Sequence, residues 1–96
     1  MIKLNGGKGK PVKATFTLPV SETPEPVSVV GDFNQWDPLA HPLKKRSNGM
    51  RSVSVQLEPG ARYTFKYLSD GGTWFTEPEA PHEANEYGET NSIITT

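Results

Sequence analysis

The sequence has no cysteine, which excludes a disulfide framework, a thiolate metal site and a cysteine nucleophile. It also has no apolar run long enough to span a membrane, and its first ten residues, MIKLNGGKGK, lack the apolar stretch of a secretory signal. Charge of one sign does not dominate, since the net charge is only −1. From these absences we expect a soluble, cytoplasmic protein that makes no contact with a membrane.

Catalytic motifs are absent as well. His41 and His82 each stand beside a proline, without a third metal ligand at a suitable spacing, so both are expected to be surface residues. The glycine pairs lack the GK[ST] or GxGxxG context of a phosphate-binding loop. No motif selects a catalytic pair among the eleven acidic residues. We therefore expect no enzymatic activity, no metal and no cofactor, which leaves binding as the function.

Short segments in which apolar and polar residues alternate make up much of the sequence. PVKATFTLPV places apolar side chains at every second position, and ARYTFKYLSD does the same with Tyr63, Phe65 and Tyr67. The turn signals SETPEP, SNG, EPG and DGG separate such segments, and no window keeps a helical period over ten residues. The pattern predicts an all-β protein of about seven strands. An antiparallel β-sandwich of the immunoglobulin type is favoured over a small closed barrel.

The chain is expected to contain one globular domain. Residues 1–10 are interpreted as a flexible leader because glycine and lysine dominate them, and residues 11–96 as a single module. Within that module, residues 77–90 are acidic and aperiodic and are predicted to be a loop. NSIITT is β-branched and is predicted to be the last strand.

Both tryptophans occupy positions that admit two interpretations. Trp36 lies among turn-forming residues in GDFNQWDP, so it either folds back over the edge of the core or is exposed to a ligand. Trp74 follows a DGG turn, so it either caps the core or returns beside Lys66 on the outer side of its strand. Lys66 itself faces outward if Phe65 and Tyr67 face inward. A planar ring, a proline-rich peptide, a base or a sugar are the usual partners of an exposed tryptophan.

Three segments of the sequence, VSVVGDFNQWDP, GARYTFKYLSDGGTW and EYGETNSII, resemble successive blocks of carbohydrate-binding module family 48. This family includes the glycogen-binding domain of the AMP-activated kinase β subunit and the N-terminal modules of isoamylases and branching enzymes. The blocks have the family's order and spacing and extend the resemblance from about Pro11 to Thr96. The resemblance implies a sandwich of seven or eight strands that binds α-1,4-linked glucans such as glycogen, starch or maltodextrins.

The resemblance also implies which residues would hold the sugar. Motif by motif, the family's two tryptophans, lysine and asparagine fall on Trp36, Trp74, Lys66 and Asn91. Tyr87 stands where the kinase-type domain has a leucine that presses on the glucan, and a tyrosine there could stack on the sugar. Glu89 replaces a threonine of that domain, so this contact does not carry over.

Two other functions stay open. An immunoglobulin-like protein-interaction or regulatory module would keep the fold without sugar binding, in association with a glycogen-metabolising enzyme or a kinase subunit. A single-stranded nucleic-acid binder could use the aromatic residues together with Lys44, Lys45 and Arg46. The balanced charge and the acidic C-terminal third oppose that interpretation, so we expect no nucleic-acid partner.

Overall fold

The computed structural model describes residues 2–6, 10–23, 25–84 and 89–96. Over this part of the chain the protein forms nine β-strands and two short 3₁₀ turns, Val20–Glu22 and Asp32–Asn34. The strands are β1 (Ile2–Asn5), β2 (Val12–Pro19), β3 (Val27–Gly31), β4 (Lys44–Lys45), β5 (Met50–Leu57), β6 (Arg62–Ser69), β7 (Trp74–Phe75), β8 (His82–Ala84) and β9 (Thr90–Thr95). Among the described residues there is no helix with the length and hydrophobicity needed to cross a bilayer.

The strands form two separate antiparallel sheets that pack face to face. The first sheet has the order β1-β2-β5-β4 and the second has the order β3-β6-β9-β8, with β7 also paired to β6. Side chains from both sheets form one apolar core, made of Val12, Ala14, Phe16, Leu18, Val27, Val29, Leu43, Val55, Leu57, Phe65, Tyr67 and Ile94. The predicted all-β sandwich is therefore confirmed, and the closed-barrel alternative is not what the described strands form.

Alternation along the strands places these side chains. Every second residue of β2 is buried, beginning at Val12, while the residues between them are exposed or half-buried. In β6, Phe65 and Tyr67 are fully buried. The Phe16 and Phe65 rings meet edge to face across the core, with centroids 5.2 Å apart, a favourable aromatic geometry.

Two strands are absent from the sequence prediction. Ile2–Asn5 lie within the stretch interpreted as a leader, yet they form β1 by pairing with β2. His82–Ala84 lie within the predicted loop, yet they form β8 by pairing with β9. Both strands lie at a sheet edge and are largely exposed. Backbone hydrogen bonds can hold such a strand without the alternation that burial of one face produces.

A buried carboxylate fastens the segment after β7 to the second sheet. The Tyr67 hydroxyl donates to Oε1 of Glu77 (3.0 Å), the Glu79 amide donates to Oε2 (3.0 Å), and the Glu77 amide donates to Oγ of Ser92 (2.8 Å). Burial by itself would raise the pKa of Glu77. The hydrogen bonds that its carboxylate accepts, together with a nearby positive charge, outweigh burial and lower that pKa. Burial, and then the adjacent carboxylate, raise the pKa of Tyr67.

Gly31 ends β3 at a point where this strand lies very close to β6. A Cβ atom at residue 31 would lie 2.5 Å from the Thr64 carbonyl oxygen and 2.7 Å from Cβ of Phe65. The backbone of Gly31 is extended, with φ −169°, so the requirement for glycine is steric and not conformational. Only a residue without a side chain permits this approach of the two strands.

Replacement of Gly31 by alanine should therefore destabilise the sandwich. We expect Gly31→Ala to lower the free energy of unfolding by about 1–3 kcal/mol, since the added methyl group must push β3 and β6 apart. Urea unfolding followed by tryptophan fluorescence measures the change. The control is Gly71→Ala, whose Cβ would approach only the flexible carboxylate of Glu25, at 3.1 Å. Equal losses in the two variants would show that the approach at Gly31 is not tight.

The Glu77 contacts make the fold sensitive to acid. Because the folded pKa is below the unfolded one, ionised Glu77 stabilises the protein above about pH 4.5, and this contribution is lost as the pH falls through the folded value. Glu77→Gln should lower the free energy of unfolding at pH 7 by about 1–3 kcal/mol, and its stability should depend less on pH in acid. Urea unfolding between pH 7 and pH 3 tests this, with the exposed Glu58→Gln as the control for charge removal. If the free energy of unfolding of Glu77→Gln falls as steeply with acid as that of the wild type, ionised Glu77 does not stabilise the fold.

Candidate functional site

Residues of β6, β7 and β9 share the outer face of the second sheet. Lys66 alternates with the inward Phe65 and Tyr67, so it points away from the core. Trp74 pairs with Leu68 across β6 and β7, which places the two side chains on the same side of the sheet as Lys66. Ile93 pairs with Thr64, so Asn91, two residues earlier in β9, shares this side as well. We call the surface formed by Trp36, Thr64, Lys66, Leu68, Trp74 and Asn91 the tryptophan face.

Trp74 is exposed, as the second of its two sequence interpretations predicts. The chain reverses after β6 through a turn in which the Ser69 amide donates to the Thr73 carbonyl oxygen (2.8 Å) and Gly72 has a φ of +87°. Trp74 retains 46% of its accessible surface, whereas the next residue, Phe75, packs against Tyr67 with ring centroids 5.2 Å apart. The interpretation of Trp74 as a core residue is therefore wrong, and Phe75 makes the inward contact instead.

Trp36 reaches the same face through Asp32. Its indole Nε1 donates to Oδ1 of Asp32 (3.1 Å), while Oδ2 of Asp32 accepts hydrogen bonds from the amide (2.8 Å) and the hydroxyl (3.0 Å) of Thr64. Because the Thr64 side chain points outward from β6, this link places the half-buried Trp36 at the Thr64 end of the tryptophan face. Thr64 and Leu68 are four residues apart, on the order of 13 Å along a strand. The two indoles thus flank Lys66 from opposite ends.

The backbone of the Trp36 loop is unusual. Gln35 and Trp36 both have left-handed conformations, with φ 58° and 57°, which side-chain-bearing residues rarely adopt. The Trp36 amide donates to the Gly31 carbonyl oxygen (2.9 Å) and closes the loop over the 3₁₀ turn. These contacts hold the backbone of Trp36 next to the 3₁₀ turn that carries Asp32, the hydrogen-bond partner of its indole.

Asn34 organises the base of this loop. Its Oδ1 accepts from the Gly31 amide (3.0 Å), so its Nδ2 is the donor to the Val29 carbonyl oxygen (3.0 Å) and to Nδ1 of His41 (2.9 Å). His41 must then carry its proton on Nε2. The histidine expected to be a surface residue is half-buried and supports the Trp36 loop.

Lys66 lies low on the tryptophan face. Its side chain is only 13% exposed, and its ammonium group is 3.5 Å from a carboxylate oxygen of Glu89, which is 67% exposed. Val30, opposite Lys66 in β3, is fully buried although it lies outside the central core cluster. Lys66 therefore has a buried apolar neighbour on β3, and its ammonium group forms an ion pair with Glu89.

Tyr87 and His82 are the remaining residues that the sequence analysis named. Tyr87 lies outside the described residues. His82 is exposed and its Nε2 hydrogen-bonds the Glu77 carbonyl oxygen (2.9 Å). Within the described ranges no three His, Cys, Asp or Glu side chains group in a way that could hold a metal ion. The sequence interpretation did not include Asp32 or the Lys66–Glu89 ion pair, because both depend on contacts between distant segments.

The tryptophan face is open to solvent at Trp74, which keeps 46% of its accessible surface. A groove of about 500 Å³ lies away from it, between β1 and β9, where Ile2, Leu4 and Ile93 contribute to its lining. Neither tryptophan lines that groove. An exposed face bordered by two indoles fits a ligand that is extended and flat better than a compact one that needs enclosure.

Comparison with known proteins identifies similar modules in enzymes of glucan metabolism. The family model for the glycogen recognition site of AMP-activated protein kinase matches residues 2–96. A 1,4-alpha-glucan branching enzyme of Photobacterium profundum is 32% identical over 89 residues, which cover 92% of this chain and 12% of that enzyme. An amylopullulanase of Thermoanaerobacterium thermosulfurigenes is 29% identical over 86 residues, 86% of this chain and 4% of that protein.

Another relative matches a shorter part of the chain at higher identity. A branching enzyme of Xanthomonas campestris pv. campestris (strain 8004) is 45% identical over 47 residues, or 48% of this chain and 6% of the enzyme. The chain thus spans a small part of the relatives that it matches. Since the family model covers nearly its entire length, the chain belongs to the glycogen-recognition family of AMP-activated protein kinase, as its resemblance to carbohydrate-binding module family 48 predicts.

Proposed function

We propose that this chain is a non-catalytic module that binds α-1,4-linked glucans such as glycogen, starch and maltodextrins on its tryptophan face. The observation that carries the proposal is the placement of Trp36 and Trp74 at opposite ends of one sheet face, with Lys66 between them. Membership of a glycogen-recognition family supports this ligand class.

The chemistry of the face suits a neutral sugar chain. A pyranose ring presents a face of C–H groups, and an indole offers a flat, electron-rich surface of similar area. Anchor points on the order of 13 Å apart along β6 let each indole stack on a different glucose unit of one curved chain. A net charge of −1 presents no obstacle, because the ligand carries no charge.

Hydrogen bonds between the two indoles would set the register of the sugar. The ammonium group of Lys66 can donate three hydrogen bonds to hydroxyl oxygens, and the Asn91 amide can both donate and accept. Glu89 keeps the Lys66 head near the face and leaves donors free for a ligand. We also assign Tyr87 to this site, as a further ring that stacks on the glucan.

The affinity of such a site should be weak. The face is open to solvent, and the ordering and desolvation of a flexible sugar offset most of the contact energy, so we expect dissociation constants of about micromolar to millimolar. Weak single sites suit a polymer with many equivalent ends, where repeated binding compensates for rapid release.

The relatives suggest a context for the module. Their names describe enzymes that act on glucans, and the chain corresponds to a small part of each. We propose that the module holds a glucan-metabolising enzyme or a kinase subunit on its polysaccharide. The alternative, a protein-interaction module without sugar binding, would leave the exposed Trp74 to contact that partner instead.

Loss of either indole should abolish most of the binding. We expect Trp36→Ala and Trp74→Ala each to weaken β-cyclodextrin and maltoheptaose binding at least about tenfold, since each removes one of the two stacking surfaces that border the site. Amide chemical shifts during titration measure the dissociation constant and also report whether each variant is folded.

Leu4→Ala is the matched control for this experiment. Leu4 is an apolar residue on the first sheet, away from the tryptophan face, and its exposure of 45% is close to that of Trp74. Removal of its side chain should therefore leave the affinity unchanged. If the wild-type spectrum does not change at millimolar sugar, the glucan proposal fails and the protein-interaction alternative takes its place. If the tryptophan variants bind as well as Leu4→Ala does, the assigned face is wrong.

The lysine should contribute hydrogen bonds and not net charge. Lys66→Met keeps the apolar stem but removes the donors, and we expect it to weaken glucan binding about three- to tenfold. Because the ligand is neutral, wild-type affinity should change little between 50 and 500 mM salt. Calorimetric titration measures both effects. A steep fall of glucan affinity with rising salt would contradict this role. So would binding of an oligonucleotide that weakens steeply with salt.

A further inference from the structure

Asp32 makes three hydrogen bonds that together join the Trp36 loop to β6. One carboxylate oxygen accepts from the Trp36 indole Nε1 (3.1 Å), and the other accepts from both the amide and the hydroxyl of Thr64 (2.8 and 3.0 Å). Asp32 and Thr64 are 32 residues apart in sequence. The carboxylate therefore connects an exposed loop directly to the strand that carries Lys66.

We infer that Asp32 is a positioning residue of the tryptophan face. It fixes the orientation of the Trp36 ring and does not itself contact the ligand. This inference rests on the proposed glucan binding. An indole on a loop can rotate about two side-chain torsions, and only one orientation presents its flat face to a sugar. A hydrogen bond from Nε1 to an anchored carboxylate selects that orientation before the ligand arrives, so less entropy is lost on binding.

The carboxylate is suited to this task in a way that a neutral group is not. Two oxygens without hydrogens can accept from three donors at once, and a charged acceptor strengthens each of these bonds. Thr64 restrains one oxygen with two bonds, so the other is held in place for the indole. The indole also has the backbone of Trp36 fixed beneath it by the hydrogen bond to Gly31.

An Asp32→Asn variant separates this role from others. Asparagine has the same shape but only one acceptor oxygen, and its amide group must face a donor. The Thr64 backbone amide has no other orientation available, so the asparagine oxygen should stay with Thr64 and the NH₂ group should face Nε1 of Trp36. The substitution thus releases the indole while it preserves the anchor on β6.

We expect three results from Asp32→Asn. The ¹H–¹⁵N resonance of the Trp36 indole should move upfield without sugar, because its acceptor is lost, while that of Trp74 stays in place. The affinity for β-cyclodextrin should fall about three- to tenfold, the effect of a lost hydrogen bond to a charged group. Asp37→Asn removes an equal charge from the same loop, at a carboxylate that accepts a hydrogen bond from the Leu39 amide, and it should change neither quantity.

A double-mutant cycle distinguishes positioning from direct contact. In a Trp36→Phe background the ring can still stack but has no N–H, so Asp32→Asn should cause no further loss of affinity. A loss of full size in that background would overturn the inference, because Asp32 would then act on the sugar itself. Unchanged affinity and an unchanged indole resonance in the single variant would overturn it as well.

The two proposals fail in different ways. If the wild-type protein binds no glucan, the proposed function falls. The indole resonance, which is measured without ligand, then decides by itself whether Asp32 holds Trp36. If glucan binds but the resonance and the cycle go against Asp32, the function stands and the positioning role falls.

Discussion

The close approach of β3 and β6 at Gly31 determines where the following residues lie. Because residue 31 has no side chain, the strands come together until its Cα faces Thr64 and Phe65. Asp32, the next residue, then reaches the outward Thr64 side chain with one oxygen and the Trp36 indole with the other. The close approach that Gly31 permits on the core side of β3 and β6 thus also sets the position of Asp32 on the outer side.

Strand β6 serves both the core and the candidate site. Its inward aromatic residues fill the sandwich, and Tyr67 also holds Glu77, so the chain segment that follows β7 is fastened beneath the sheet. Its outward residues, Thr64 and Lys66, meet Asp32 and Glu89 from two different loops. The core packing behind β6 therefore also supports the site, although Trp36 comes from a loop and Trp74 from the first residue of β7.

The sequence predicts much of this arrangement, because local alternation reports which side of a strand is buried. The inward aromatic residues of β6 and the outward Lys66 follow from that alternation, and the DGG turn places Trp74 beside them. Strand β8 could not be predicted, since its residues are all exposed and leave no hydrophobic pattern. The Asp32 link and the Lys66–Glu89 ion pair depend on tertiary contacts between segments 32 and 23 residues apart, for which a single sequence carries no local signal.

The left-handed backbone at Gln35 and Trp36 has a consequence for the order of assembly. Each such residue costs about 1–2 kcal/mol when it carries a side chain, so the loop has no intrinsic tendency to form in an isolated chain. It becomes favourable only after β3 and β6 have paired and placed Gly31, Asp32 and Thr64 together. We therefore expect the Trp36 loop to form late in folding and to open readily when the pairing of β3 and β6 loosens.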